Sequence, residues 1–298
     1  MPRPLDPTHS LACRLLQIAV VCQCFGNAWW FGMVGETPLF AWLWGEPEVG
    51  GFGLSEATVV VIHQTLAVFW LVAGLLIAWR PLRPLLATLT LLQLTIAVAM
   101  AATASGFRLD TSWLPTSLTW LADAFPLLSQ STRIATPAAL MMLVGKPSGE
   151  ETRQAPAGFA FACLRWCVAI TFAAHGVEAL QHYHVFSDMN ITAARNLLGT
   201  DISESTSNQI LVAIGIMDVL VAAVAAVMRS PLAAGYMTIW GLITAASRVV
   251  VYGVAIGAWG FATRAPHFLA PAALLAIWLS HKQPESEYAS QPTSESSD

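Results

Sequence analysis

The chain alternates between long apolar stretches and short polar ones, and the apolar stretches recur from Leu11 to Ser280. Each runs for about 20 residues, the length a helix needs to cross the hydrocarbon of a bilayer. A membrane β-barrel would instead show short segments of alternating character. The pattern predicts spans at 13–34, 56–79, 84–105, 124–145, 162–185, 207–228, 232–256 and 263–280. Ser55 and Ser203 are placed to cap the second and sixth helices. Segment 112–126, with Trp113, Leu114, Trp120, Leu121 and Phe125, predicts a short interfacial helix at headgroup level.

The eight spans fall into two copies of one unit. Gly53-Leu54-Ser55-Glu56-Ala57-Thr58 parallels Asp201-Ile202-Ser203-Glu204-Ser205-Thr206. Ala135-Thr136-Pro137-Ala138-Ala139-Leu140 parallels Leu269-Ala270-Pro271-Ala272-Ala273-Leu274. The expected fold is an all-α polytopic membrane protein, with eight transmembrane helices as two four-helix bundles. Its parts are a short N-terminus (1–12), a first membrane unit (13–146), a linker (147–161), a second membrane unit (162–281) and a disordered tail (282–298). That tail is rich in Ser, Glu and Pro.

Composition agrees with the pattern. Hydrophobic residues make up 56% of the chain and charged residues 11%, against about 25% charged in a soluble domain. No basic face suggests nucleic acid. The two lysines, Lys146 and Lys282, lie outside the spans, which excludes a Schiff base at membrane depth. Arg3, Arg14, Arg80, Arg83, Lys146, Arg153, Arg165, Arg229 and Lys282 fall on one side, and Arg108, Arg133, Arg195 and Arg264 on the other. The positive-inside rule then places both termini in the cytoplasm, in the inner membrane of a bacterium. The cysteines, Cys13, Cys22, Cys24, Cys163 and Cys167, read as small residues at helix contacts. Trp29, Trp30, Trp42, Trp44, Phe52, Trp113, Trp120, Trp259 and Phe261 crowd the outer rim, either as an interface belt or as a vestibule for an amphipathic ligand such as a quinone.

Candidate chemistry is concentrated in the second unit. His175, Glu178 and His182 share one face of the fifth helix, because their spacings of three, four and seven match the helical repeat. Asp218 lies mid-way along the sixth helix, Arg248 in the outer half of the seventh, and His267 near the start of the eighth. A charged side chain at membrane depth costs about 2.5 kcal/mol or more, so Arg248 is expected to pair with Glu178 or Asp218. Three readings follow: a structural ion-pair network, a proton-coupled redox or transport site, and a haem or metal site using histidines with Glu178. His63 stands alone in the first unit and reads as a hydrogen-bonded core residue or a cofactor ligand.

The run Arg165, then apolar residues, then His175-Gly176-x-x-x-Leu180, with Ile214-Gly215-Ile216-Met217-Asp218 and the last helix around Pro271, resembles DoxX-like membrane proteins. That family includes the DoxD/DoxX subunits of thiosulfate:quinone oxidoreductase. The resemblance covers 165–280 and reaches 14–145 through the internal repeat. It departs where the family has Lys and this chain has Ala179, and where Phe25-Gly26 replaces His-Gly in the first unit. It implies a quinone-linked oxidoreductase component working with other membrane subunits. His175, Glu178, Asp218 and Arg248 would form the catalytic group, and His63, His182 and His267 would be cofactor contacts. The rivals are a non-catalytic subunit of a larger electron-transfer complex and a small-molecule or proton-coupled transporter.

Overall fold

The computed structural model describes residues 7–112, 115–144 and 151–280, with side chains from Ser10 onward and, after the linker, from Ala157. The expected tail at 282–298 and the start of the expected linker lie outside the described residues. The described elements are helical throughout. α1 (Pro7–Trp29) continues as a π-helical turn through Val34. After α2 (Pro38–Trp44) come α3 (Glu56–Trp79) and α4 (Arg83–Ala102), then α5 (Trp120–Ser129) and α6 (Ser131–Leu143). The second unit holds α7 (Glu151–Leu180), α8 (His184–Leu198), α9 (Glu204–Val227), α10 (Pro231–Thr263) and α11 (Ala265–Ser280). α7 begins inside the segment expected to be linker.

The caps form as the sequence implied. Ser55 Oγ accepts from Thr58 N–H at 3.3 Å, and Ser203 Oγ accepts from Thr206 N–H at 3.1 Å. Each opens a helix of 24 residues. Among the described residues, six helices are long and apolar enough to cross a membrane. The fourth stretch of the first unit and the third of the second depart from the expected single spans. In the first unit it is α5 and α6, divided at Gln130 (φ −96, ψ −1). In the second, α10 turns at Gly253 (φ 72, ψ 171), which only glycine adopts without strain. Residues 254–263 then fold back along the helix, with Gly257 and Gly260 against Arg248, and the chain breaks again at Arg264 (φ −95, ψ 2) before α11. Gln130 and Arg264 stand at the same place in the two units and carry the same backbone conformation, so α6 and α11 both start after a break at one repeated position.

Packing links the units across the repeat. α1 packs along α3 of its own unit and as extensively along α11 of the other. α7 packs along α9 and also along α6. A single apolar core runs through α1, α3, α4, α6, α7, α9, α10 and α11. The expected pair of separate bundles is therefore replaced by a shared centre of α1, α6, α7 and α11. Each unit's first helix closes on the other's last. Close approach makes this possible at Gly26, where a Cβ would lie 2.6 Å from Thr263 N. Thr171 of α7 likewise accepts the Thr132 N–H at 3.0 Å, satisfying an orphan donor at the α6 start from across the unit boundary.

Candidate functional site

α7 carries the polar pair that the helical spacing predicts. His175 Nδ1 lies 2.8 Å from Glu178 Oε2, one turn apart on one face. An ionised carboxylate only accepts hydrogen bonds, so with Glu178 in that form the ring proton of the pair sits on Nδ1 and Nε2 is not engaged by Glu178. The Glu178 side chain is 7% exposed and that of His175 is 28% exposed, which leaves the imidazole reachable. The His267 ring, carried by the start of α11, stands 5.5 Å away between centroids. His267 is buried, and its Nε2 has no partner within the protein.

Arg248 comes to this cluster from α10 but does not form the expected ion pair. Its Nη1 donates to Met189 Sδ on α8, and its Nε has no partner. Glu178 lies within electrostatic range of it, yet the Glu178 contact is taken by His175. Asp218 is occupied elsewhere. It accepts from Tyr236 Oη at 3.1 Å and from Trp240 Nε1 at 3.3 Å, both on α10. Those residues precede Arg248 by 12 and 8 positions, or about 18 and 12 Å along a helix rising 1.5 Å per residue. Asp218 thus meets α10 two turns or more before Arg248, and the expected Arg248 pairing is corrected: His175, Glu178 and His267 stand together, Arg248 donates to Met189 beside them, and Asp218 is held by Tyr236 and Trp240 within electrostatic range of His175. The Tyr183 phenol, in the turn after α7, is pushed up first by burial and then by the Glu178 charge.

His63 and His182 do not join this group. His63 hydrogen-bonds Thr37 Oγ1 at 3.2 Å, with its ring between Phe31 and Phe40. His182 (φ 51) turns the chain after α7 and lines a groove of about 500 Å³ with Glu204 and Asn208. Among the described residues, no group of three or more His, Cys, Asp or Glu is placed to hold a metal ion.

The structure adds residues that sequence reasoning counted with the outer-side charges or passed over. Arg133 is buried at the start of α6, where its Nε donates to Thr263 O at 2.9 Å and its Nη1 to Gln130 Oε1 at 2.6 Å. Arg264 occupies the second break and donates to Gly260 O at 3.1 Å. Gln23 of α1 donates to Arg133 O at 3.2 Å. The repeat held the signal, because aligning Pro137 with Pro271 sets Arg133 on His267 and Gln130 on Arg264. Comparison with protein-family models, curated proteins and solved structures finds no match to this chain.

Proposed function

We propose that the chain is the membrane component of a quinone-linked oxidoreductase, with His175 as its proton-exchanging residue. The observation that supports this is the His175–Glu178 hydrogen bond, a polarised imidazole inside otherwise apolar helices. A quinone taking up two electrons also takes up protons at its oxygens. The residues present suit such a ligand, because His267 Nε2 and Arg248 Nε are buried polar atoms with no partner in the protein. His175 holds a proton at Nε2 for transfer, Glu178 stabilises the cationic ring, and Arg248 places positive charge near a reduced, anionic oxygen. Asp218 acts at longer range. The electrons come from a partner subunit or a small reductant. The reading also leans on the DoxX-like motifs, whose glycines, Gly176 and Gly215, meet where α7 crosses α9. Both termini then face the cytoplasm of a bacterial inner membrane.

The test is extraction of bound lipid from purified protein, with a quinone-reduction assay on His175→Ala. The reading predicts a co-purifying quinone that is depleted in the variant. A quinone-free preparation, with no reduction and an unaltered variant, contradicts it.

One observation favours a second reading, a proton-coupled transporter. Helices broken at matching positions of two repeats are the usual setting of a transport site, and Gln130 and Arg264 supply that pair. Flux into proteoliposomes under a proton gradient separates the two readings.

A further inference from the structure

The centre of the molecule holds more positive charge than the protein itself neutralises. Arg264 lies within electrostatic range of both Arg133 and Arg248, and of Glu178. Among the described residues, none of these three arginines has a carboxylate in ion-pair contact. The acid within electrostatic range of Arg248 and Arg264, Glu178, is hydrogen-bonded to His175. In a membrane interior such charge is tolerated when a counter-ion meets it.

Polar atoms gather at the same place without partners. Gln23 and Asn27 lie one turn apart on one face of α1, and Gln23 uses that face to reach the α6 start at Arg133. Asn27 is 1% exposed, and neither amide atom has a partner among the described residues. Gly26 beside it touches Thr263 and Trp259 of the second break, which places Asn27 at the junction. Trp259 Nε1 and Gln23 Oε1 are also buried and unpartnered. Buried polar groups are nearly always satisfied by protein, water or a ligand. α6 and α11 start directly after these breaks, and helix starts favour negative charge.

We propose that the junction of the two broken helices binds one small oxygen anion, an oxyanion or a carboxylate, held by Arg133 and Arg264 with the Asn27 amide. The site is built by both units and does not depend on quinone chemistry at His175. Two sources could supply the ligand: a soluble anion, or the phosphate of an anionic lipid headgroup.

The test uses the full chain in nanodiscs of zwitterionic lipid, titrated by calorimetry with sulfate and, separately, with acetate, chloride holding the ionic strength constant. One saturable site per chain is expected for at least one probe, weakened tenfold or more in Arg264→Gln and in Asn27→Leu. Neither substitution should prevent folding. Among the described residues, the Arg264 side chain hydrogen-bonds a carbonyl one turn back in its own chain, and the Asn27 amide has no partner. A second arm adds phosphatidate to the nanodiscs. Competition with the probe assigns the occupant to a headgroup, and no competition assigns it to a soluble anion; either supports the site. Absence of saturable binding of both probes to folded protein overturns the proposal. So does binding that both substitutions leave unchanged, and so does equally good binding with chloride alone, which would indicate an adventitious ion only.

Discussion

Gly215→Ala asks the crossing of α7 and α9 to accommodate one methyl. A Cβ at that position would lie 2.7 Å from Gly176 O and 2.7 Å from Leu180 Cγ, with Leu180 N at 3.0 Å. Ordinary contact needs about 3.5 Å, so the helices must part by the better part of an ångström. Two of the three obstacles are backbone atoms, which no rotamer change relieves. Separation on that scale forfeits a quarter to a half of the dispersion attraction along the contact. Overpacking of this kind costs about 1–3 kcal/mol, roughly a 5- to 150-fold shift in the folded-to-unfolded ratio. Gly235→Ala on α10 is the control, since nothing lies within 4 Å of the added atom. There the change should be neutral or stabilising by up to about 1 kcal/mol, the helix-propensity difference between the two residues. Reversible unfolding of both variants in mixed lipid and denaturing-detergent micelles measures the contrast. The reasoning fails if Gly215→Ala matches the wild type within about 0.5 kcal/mol, or if both variants lose stability alike.

Three further outcomes are expected. In the absence of added anion, Asn27→Leu should stabilise the protein by about 1–3 kcal/mol, because it removes a buried amide that has no partner; unfolding in anion-free buffer checks the sign. Asp218→Leu should destabilise by about 1–3 kcal/mol, because it leaves the Tyr236 hydroxyl and the Trp240 N–H without their shared acceptor; the same unfolding assay reads the loss. The Ser112 backbone N–H holds the Asp110 carboxyl below its ordinary range. That contribution is complete above the unfolded-state value of about 3.9 and is lost as pH falls through the lower folded value. Hydrogen exchange at the Ser112 amide, corrected for intrinsic rate, should therefore quicken only below about pH 4.

Much of the helical frame could be read from hydropathy and caps. Ser55 and Ser203 open their helices where the apolar runs begin, and the three-residue spacing of His175 and Glu178 was enough to bring them into contact. The break at Gln130 could not be read the same way, since apolar residues continue on both sides, whereas the break at Arg264 falls where the eighth span was expected to start. Arg133 and Arg264 were counted with the outer-side charges, although both fall inside expected spans, because the positive-inside rule does not see where a helix restarts inside the bundle. The Arg248 pairing failed for a different reason. Sequence shows which residues are charged, but not that His175 already occupies Glu178, nor that Asp218 lies more than two turns from Arg248. α8 was missed because 184–198 is amphipathic and too polar to read as a span; its end at Leu197-Leu198-Gly199, with Gly199 in the left-handed region (φ 64), was the available signal.

The account rests on buried polar side chains engaging one another at the far end of the bundle, and a double-mutant cycle on His175 and Glu178 tests it most directly. Stability is measured for His175→Ala, Glu178→Ala and the double variant in lipid micelles. A hydrogen bond to a charged group contributes about 1.5–3 kcal/mol, so a coupling energy of that size is predicted. Effects that add to within about 0.5 kcal/mol, the behaviour of independent sites, would show that the pair does not interact and would contradict the account.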